Sequence, residues 1–175
     1  MEQGEPLPVP EQPSGAHNNL DPTHKLIFMV LALDLEDGSI LWGKNVRDAQ
    51  PHQSTHESST WASASPVTDG DRVYAFFGSN GLHCLDFNGT ILWKKDLGDM
   101  QVKHGHGEGA SPALHGKTLV VNWDHEGDSF VVALDKHTGK EHWRQPRDEP
   151  TSWATPIIAE VDGKPQAIVS GTTAI

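Results

Sequence analysis

The most informative part of the chain is residues 130–143, with the sequence FVVALDKHTGKEHW. It contains the pattern A-x-D-x-x-x-G-x-x-x-W, which residues 32–42 repeat at every fixed position. A third copy, in residues 84–93, has Cys84 in place of Ala and a turn that is one residue shorter. The other fixed positions of the three copies are Ala32, Asp34, Gly38, Trp42, Asp86, Gly89, Trp93, Ala133, Asp135, Gly139 and Trp143.

Each copy of this motif predicts a β-hairpin. The apolar, largely β-branched run 130–134 is typical of a strand that is buried on both faces. The carboxylate of Asp135 can accept hydrogen bonds from turn amides, and Gly139 can adopt a positive φ without a Cβ clash. The chain then reverses into a second strand that carries Trp143, whose indole offers a large apolar surface to a neighbouring unit. We therefore expect Trp93 and Trp143 to be structural residues that pack between units.

The spacing of the motif indicates an internal repeat. The three motif tryptophans lie 51 and then 50 residues apart. A second marker, Ser or Thr followed by Pro, recurs 46 and then 44 residues apart, at Ser65, Ser111 and Thr155. Two independent markers that recur every 44 to 51 residues, in a β-rich chain, predict blades of four strands.

The repeat resembles that of the PQQ-like (quinoprotein-type) β-propeller proteins, whose blades carry this tryptophan-docking motif. The resemblance covers residues 26–175 and implies an all-β fold of consecutive four-stranded antiparallel blades, in an incomplete ring of about three blades. We expect an irregular N-terminal segment at 1–24, followed by a half blade, two full blades and a second half blade at 25–47, 61–98, 109–146 and 152–175. The first and last units should then present uncovered faces, through which two copies of the chain could associate.

Composition and short sequence patterns argue against several partners and structural features. The formal net charge of −11 at pH 7 argues against nucleic acid and against an anionic membrane surface. The apolar run 26–33 has the length of a strand and is too short to span a membrane. Cys84 is the single cysteine, which excludes an internal disulfide and a multi-cysteine zinc site. Residues 1–10 show no signal-peptide pattern, although the family resemblance implies a periplasmic or secreted location.

The densest polar group lies in the loop 99–109. His104, His106 and Glu108 would share one face at strand spacing, and two imidazoles with a carboxylate are a plausible ligand set for Zn²⁺. The intervening Gly105 and Gly107 let the loop adopt many shapes, so a solvated interblade loop is the competing interpretation. We predict that these three residues hold no stoichiometric metal.

Two further polar groups accompany that loop. Residues 123–126, Trp-Asp-His-Glu, are expected between the second and third strands of the same blade. His52, His56 and Glu57 lie in the interblade loop that precedes the first full blade, in the position that the loop 99–109 has before the second. The two interblade loops are therefore expected to face a common surface. Trp61 and Trp153, which precede Ser-Pro and Thr-Pro, are expected to add interblade packing.

The resemblance also raises the question of a cofactor, pyrroloquinoline quinone with Ca²⁺. The quinoprotein alcohol dehydrogenases that bind it carry a vicinal cysteine pair and an Asn, Glu and Asp set around the Ca²⁺. Cys84 has no partner in the sequence, and no stretch of the chain matches that ligand set. Family members that serve as scaffolds and envelope-assembly proteins carry the motif without the cofactor.

The sequence therefore favours a non-catalytic propeller scaffold or binding module without catalytic residues, whose ligand is a protein, a glycan or a small molecule. The first alternative is a fragment of a PQQ-dependent oxidoreductase. The second is a metal-binding propeller that uses the His104, His106 and Glu108 loop.

Overall fold

The computed structural model describes residues 5–173. In this range the regular structure is β-sheet, with two short 3₁₀ turns at Gly78–Asn80 and Lys103–Gly105. The strands, numbered in chain order, are β1 Asn19–Leu20, β2 Leu26–Leu33, β3 Ile40–Ala49, β4 Thr55–His56, β5 Val67–Thr68, β6 Arg72–Phe76, β7 Leu82–Asp86, β8 Ile91–Lys95, β9 Ala113–His115, β10 Thr118–Trp123, β11 Phe130–Asp135, β12 Glu141–Pro146, β13 Ile157–Val161 and β14 Lys164–Ile168. Within residues 5–173 no helix is long and apolar enough to cross a membrane.

The sheets are the predicted propeller blades. Strands β5 to β8 form one four-stranded antiparallel sheet and β9 to β12 form the next. The hairpin β2–β3 precedes them and the hairpin β13–β14 follows them. The predicted all-β architecture of four-stranded antiparallel blades is confirmed. The last two residues of the predicted final half blade lie outside the described range.

The N-terminal segment, described from residue 5 onward, is irregular except for one short strand. Its residues Asn19 and Leu20 form β1, which pairs antiparallel with Thr55 and His56 of β4. This pairing has no signature in the sequence, because each strand is only two residues long and neither shows an alternating apolar pattern.

The three motif hairpins share one register. The small residue of each motif lies directly opposite the tryptophan, in the pairs Ala32–Trp42, Cys84–Trp93 and Ala133–Trp143. A bulge follows the small residue in all three hairpins. The turn glycines have φ values of 73°, 78° and 69°, and the motif aspartates accept hydrogen bonds from turn amides. The predicted turn chemistry is confirmed.

The tryptophans join consecutive blades through the next motif turn. The indole Nε1 of Trp42 donates to the carbonyl oxygen of Phe87 at 2.8 Å, and that of Trp93 donates to Lys136 at 3.0 Å. Each indole lies over the following turn glycine, so that a Cβ built on Gly139 would lie 2.7 Å from Cε3 of Trp93. The motif glycine therefore serves twice, since it permits the turn and admits the indole of the preceding blade.

The prediction that Trp143 packs between units is wrong for the described residues. Trp143 is 46% exposed. The hairpin β13–β14 that follows it carries no copy of the motif, so the described residues contain no turn on which this indole could dock.

The Ser/Thr-Pro marker joins the blades just before the first strand of each. The backbone N–H of Ser65 donates to Oγ of Ser111 at 2.8 Å, and the N–H of Ser111 donates to Oγ1 of Thr155 at 3.0 Å. The residues of the second sequence marker thus form a row of hydrogen bonds that runs from blade to blade.

The core consists of layers between neighbouring blades. The largest apolar cluster, between the two four-stranded sheets, contains Tyr74, Phe76, Leu82, Cys84, Met100, Val102, Leu119, Val121, Trp123, Phe130, Val132 and Leu134. A second cluster joins Phe28 and Val30 of β2 to the next blade. The opposite face of β2 carries Ile27, Met29, Leu31 and Leu33, which are between 44% and 51% exposed.

Candidate functional site

The loops between blades meet on one surface, as the sequence predicts. Nε2 of His52 donates to the carbonyl oxygen of Met100 at 2.7 Å, and Oε1 of Gln53 accepts the N–H of Val102 at 2.9 Å. A third interblade loop joins them, since the N–H of Lys103 donates to Oγ1 of Thr151 at 2.9 Å. We call the surface formed by the interblade loops 50–61, 99–109 and 148–153 the loop face.

Glu108 does not share a face with His104 and His106. The segment 103–105 is a 3₁₀ turn rather than a strand, and His104, Gly105 and Gly107 all have positive φ. The carboxylate of Glu108 accepts hydrogen bonds from the N–H and the hydroxyl of Ser79, each at 2.6 Å. Burial raises the pKa of Glu108, although these two bonds oppose the shift. In residues 5–173 no group of three His, Cys, Asp or Glu side chains is placed to hold a metal ion.

The two histidines of this loop instead meet two others. Ring centroids lie 5.0 Å apart for His17 and His106, 5.1 Å for His56 and His106, and 5.4 Å for His104 and His106. The indole of Trp153 stacks on His106 at 6.5 Å. Burial, followed by repulsion from the three neighbouring rings, lowers the pKa of His106. We call His17, His56, His104 and His106 the histidine cluster.

Sequence reasoning missed His17, because it lies in the segment that was expected to be irregular. No apolar or charged pattern beside it distinguishes its position from the rest of that segment. The expected grouping of the interblade loops is confirmed by the contact between His56 and His106.

Polar residues of the β10–β11 loop form hydrogen bonds and an ion pair within the fold. The carboxylate of Asp124, whose side chain is fully buried, accepts two hydrogen bonds from Arg147 at 2.8 and 3.2 Å and one from Ser152 at 2.7 Å. The amide of Thr151 donates to Glu126, and bonds from Thr151 lower the pKa of Glu126 although burial acts in the opposite direction. Trp123, which was expected in this loop, is instead the buried last residue of β10.

The two other tryptophans of the loop face fix its backbone. Nε1 of Trp61 donates to the carbonyl oxygen of Gln53 at 2.9 Å, and Nε1 of Trp153 donates to Gly107 at 2.7 Å. Two cavities beneath these loops have volumes of about 10 Å³ each. Each is large enough for about one water molecule.

Comparison with known proteins identifies the fold. A family model described as "Outer membrane protein assembly factor BamB" matches residues 22–90 and 82–163. The solved structure of BamB from Moraxella catarrhalis is similar at 21% identity with a TM-score of 0.53, over 81% of this chain and 40% of that one. A europium-containing methanol dehydrogenase is similar at 16% identity with a TM-score of 0.51, over 85% of this chain and 27% of that one. A search of curated proteins finds no match.

These similarities are partial in length. The chain spans about two fifths of the BamB structure and about a quarter of the methanol dehydrogenase. At these identities they show the fold alone, and one fold can serve proteins with different functions.

Proposed function

Because the chain belongs to the PQQ-like propeller family whose model is described as outer membrane protein assembly factor BamB, we propose that it is a non-catalytic scaffold whose loop face binds another protein. The word "assembly" in that description supports a role in holding proteins together. The reference to the outer membrane supports a periplasmic or secreted location.

The observation that carries the proposal is that the polar side chains beneath the loop face are hydrogen-bonded within the protein. Asp124 is paired with Arg147 and Ser152, Glu108 is bonded to Ser79, and Gln53 is bonded to Val102. These groups bind the loops to one another and so give the surface a fixed shape. A preorganised surface of this kind lowers the ordering cost of binding a macromolecule.

The alternative is a fragment of a quinoprotein oxidoreductase, which the fold similarity to a methanol dehydrogenase supports. The described residues fit that cofactor poorly. Asp124, Asn122 and Glu108 have the donor chemistry that Ca²⁺ prefers, but Arg147, Ser152 and Ser79 already satisfy the two carboxylates. Cys84 is fully buried in the core, where burial raises its pKa to about 11, so it serves as a packing residue.

We also propose that the exposed apolar face of β2 is covered by another propeller unit, supplied by further blades or by a second copy of this chain. Four large apolar side chains on one strand face, each about half exposed, form a surface of the kind that blades elsewhere in this chain bury against each other. This face of β2 is therefore a second candidate contact surface of the scaffold.

Site-specific photocross-linking in the native host tests the binding role. A photoreactive residue at Glu57 or at Lys103, both exposed on the loop face, should cross-link to the same identified protein. Lys117 is the matched control, because it is exposed on the β9–β10 turn at the opposite end of its blade. Purified partner should then bind the protein in solution. A stoichiometric quinone in the full-length protein, with alcohol-dependent dye reduction and no loop-face cross-link, would support the oxidoreductase instead.

A further inference from the structure

The N-terminal segment, residues 7–24, lies across the loop face, where polar contacts and the fully buried ring of Pro22 hold it. The Nδ2 group of Asn19 donates to Oγ of Ser54 and to the carbonyl oxygen of His104, each at 2.9 Å. The pairing of β1 with β4 and the bond from the N–H of Glu57 to Asn18 at 2.8 Å add backbone contacts. Leu20 is about half exposed, so apolar burial contributes little at this strand.

Three buried polar atoms at this contact have no protein partner. They are Oδ1 of Asn19, Oγ1 of Thr55 and Nε2 of His106. Buried polar atoms without hydrogen bonds reduce the free energy gained by docking. The docked segment is therefore closer in free energy to a released segment than its number of hydrogen bonds suggests.

The histidine cluster bridges the segment and the surface beneath it. His17 belongs to the segment, His56 to β4, and His104 and His106 to the loop 99–109. The ring of His17 lies 5.6 Å from that of His56 and 6.2 Å from that of His104, in addition to its 5.0 Å approach to His106. Nδ1 of His104 also donates to the carbonyl oxygen of Ser14 at 3.0 Å, which ties the cluster to the segment directly.

Few opposite charges are available to these rings. Carboxylate–histidine ion pairs within residues 5–173 involve His52 and His142, which are outside the cluster. Of the ionisable groups on the surrounding elements, Lys103 adds positive charge and Glu57 is an exposed carboxylate. Glu126, also exposed, is the carboxylate that attracts His104. Asp21 of the segment is bonded to Gln12.

We propose that the histidine cluster makes the docking of residues 7–24 pH-sensitive, so that protonation releases this segment and uncovers the β4 edge of the loop face. Like charges at these separations repel each other across the contact, and part of that repulsion ends when His17 moves away. The uncovered edge consists of Thr55 and His56 with the backbone carbonyls of His104 and Gly105, which can accept an extended peptide in place of β1.

The direction of the pH dependence follows from His106. The pKa of His106 is lowered while the segment is docked. This ring therefore binds more protons when the segment is released than when it is docked. Docking is therefore strongest above the ordinary histidine pKa of about 6.5 and weakens as the pH falls from there through the lowered value. Added salt should screen the repulsion between the partly exposed rings and reduce the effect.

Hydrogen exchange followed by mass spectrometry tests this inference on the full chain in the presence of a chelator. Protection is compared at about pH 7.5 and about pH 5.5 after correction for the intrinsic exchange rate. We expect amides of residues 16–24 and of Glu57 to lose roughly tenfold protection at the lower pH, while those of β11 keep theirs. The variants His17→Gln and His106→Gln should reduce this loss, whereas His142→Gln, exposed on β12, should leave it unchanged.

Two results would overturn the inference. One is equal protection of residues 16–24 at both pH values although NMR shows the four rings to be protonated at the lower one. The other is a loss of protection that includes β11, or that is the same in the wild type and in both cluster variants, because that pattern describes global acid unfolding.

Discussion

At the scale of single residues, the motif glycines and tryptophans form pairs that span two blades. The sequence shows that Gly139 permits a turn, but the indole over it comes from a hairpin that lies 50 residues earlier in the motif series. Which indole lies over which glycine is set by how the blades stack, and that information is absent from any single copy of the motif.

A substitution at the docking glycine should therefore cost more than one at an ordinary turn glycine. Gly116 has a φ of 55°, and no atom lies within 4 Å of the point where an alanine Cβ would sit, whereas the corresponding point at Gly139 is 2.7 Å from Trp93. We expect Gly116→Ala to cost about 1 kcal/mol through backbone strain alone. Gly139→Ala should cost roughly 1 to 3 kcal/mol more, because the indole must move. Urea denaturation of both variants measures the difference, and equal midpoints would contradict the double role of Gly139.

The exposure of Trp143 changes the expected result of its substitution. Trp93 packs on the following motif turn, so Trp93→Ala should cost about 3 to 5 kcal/mol. Trp143 is half exposed, so Trp143→Ala should cost clearly less in this chain. Denaturation midpoints of the two variants, measured side by side, test this ranking. A larger effect for Trp143 would show that its indole is buried in solution.

The loop 99–109 shows the limit of sequence spacing. Gly105 and Gly107 allow the backbone to turn. As a result Glu108 forms a hydrogen bond with Ser79, and the ring of His106 contacts His17 of the N-terminal segment. We expect the purified protein to hold no stoichiometric metal at His104, His106 and Glu108, since these side chains are not placed around one point. Elemental analysis that returned one zinc per chain, lost on His106→Ala, would disprove this expectation.

At the scale of strands and sheets, the prediction was most successful where local chemistry repeats. The strand Phe130–Asp135 has its predicted bounds, because a continuous β-branched run ends at a turn-forming aspartate. The first strand of each full blade is short, with two residues in β5 and three in β9. Val67–Thr68 forms β5, while the Ser-Pro before it joins the row of interblade hydrogen bonds.

The seam between the two full blades also contains an ion pair. Nζ of Lys136 lies 2.7 Å from Oδ2 of Asp69, whose side chain is 8% exposed, and the hydroxyl of Tyr74 donates to the same oxygen at 3.0 Å. Burial alone would raise the pKa of Asp69, but Lys136 and the neighbouring hydrogen bonds outweigh it and lower that pKa strongly. The folded protein therefore holds this carboxylate charged to lower pH than the unfolded chain does.

Acid should weaken this seam in a defined direction. The contribution of Asp69 is fully present above its unfolded pKa of about 3.9 and is lost as the pH falls through its lowered folded value. We expect Asp69→Asn to cost roughly 3 kcal/mol near neutral pH, because it leaves Lys136 without its partner. The difference from the wild type should shrink in acid. Asp71→Asn, an exposed neighbour in the same turn, is the control and should change stability little at either pH.

At the scale of the whole molecule, the period of the motif predicted the stacking of blades but not the path of residues 5–24. That segment is held by side-chain bonds such as Asn19 to Ser54, which join positions 35 residues apart and have no periodic pattern. The blades are therefore predictable from the sequence because they repeat, whereas the loop face is built from contacts that each occur once.

Blade-to-blade packing is tested most directly by light scattering coupled to size-exclusion chromatography on this 175-residue chain. Because the outer face of β2 leaves Ile27, Met29, Leu31 and Leu33 exposed, we expect dimers or larger species at about micromolar concentration. Leu31→Lys should shift the population towards monomer, while Lys44→Leu, a change on the adjacent strand, should not. A wild-type chain that is monomeric throughout this range and unfolds in one cooperative transition would contradict the requirement that each blade face be covered by a neighbour.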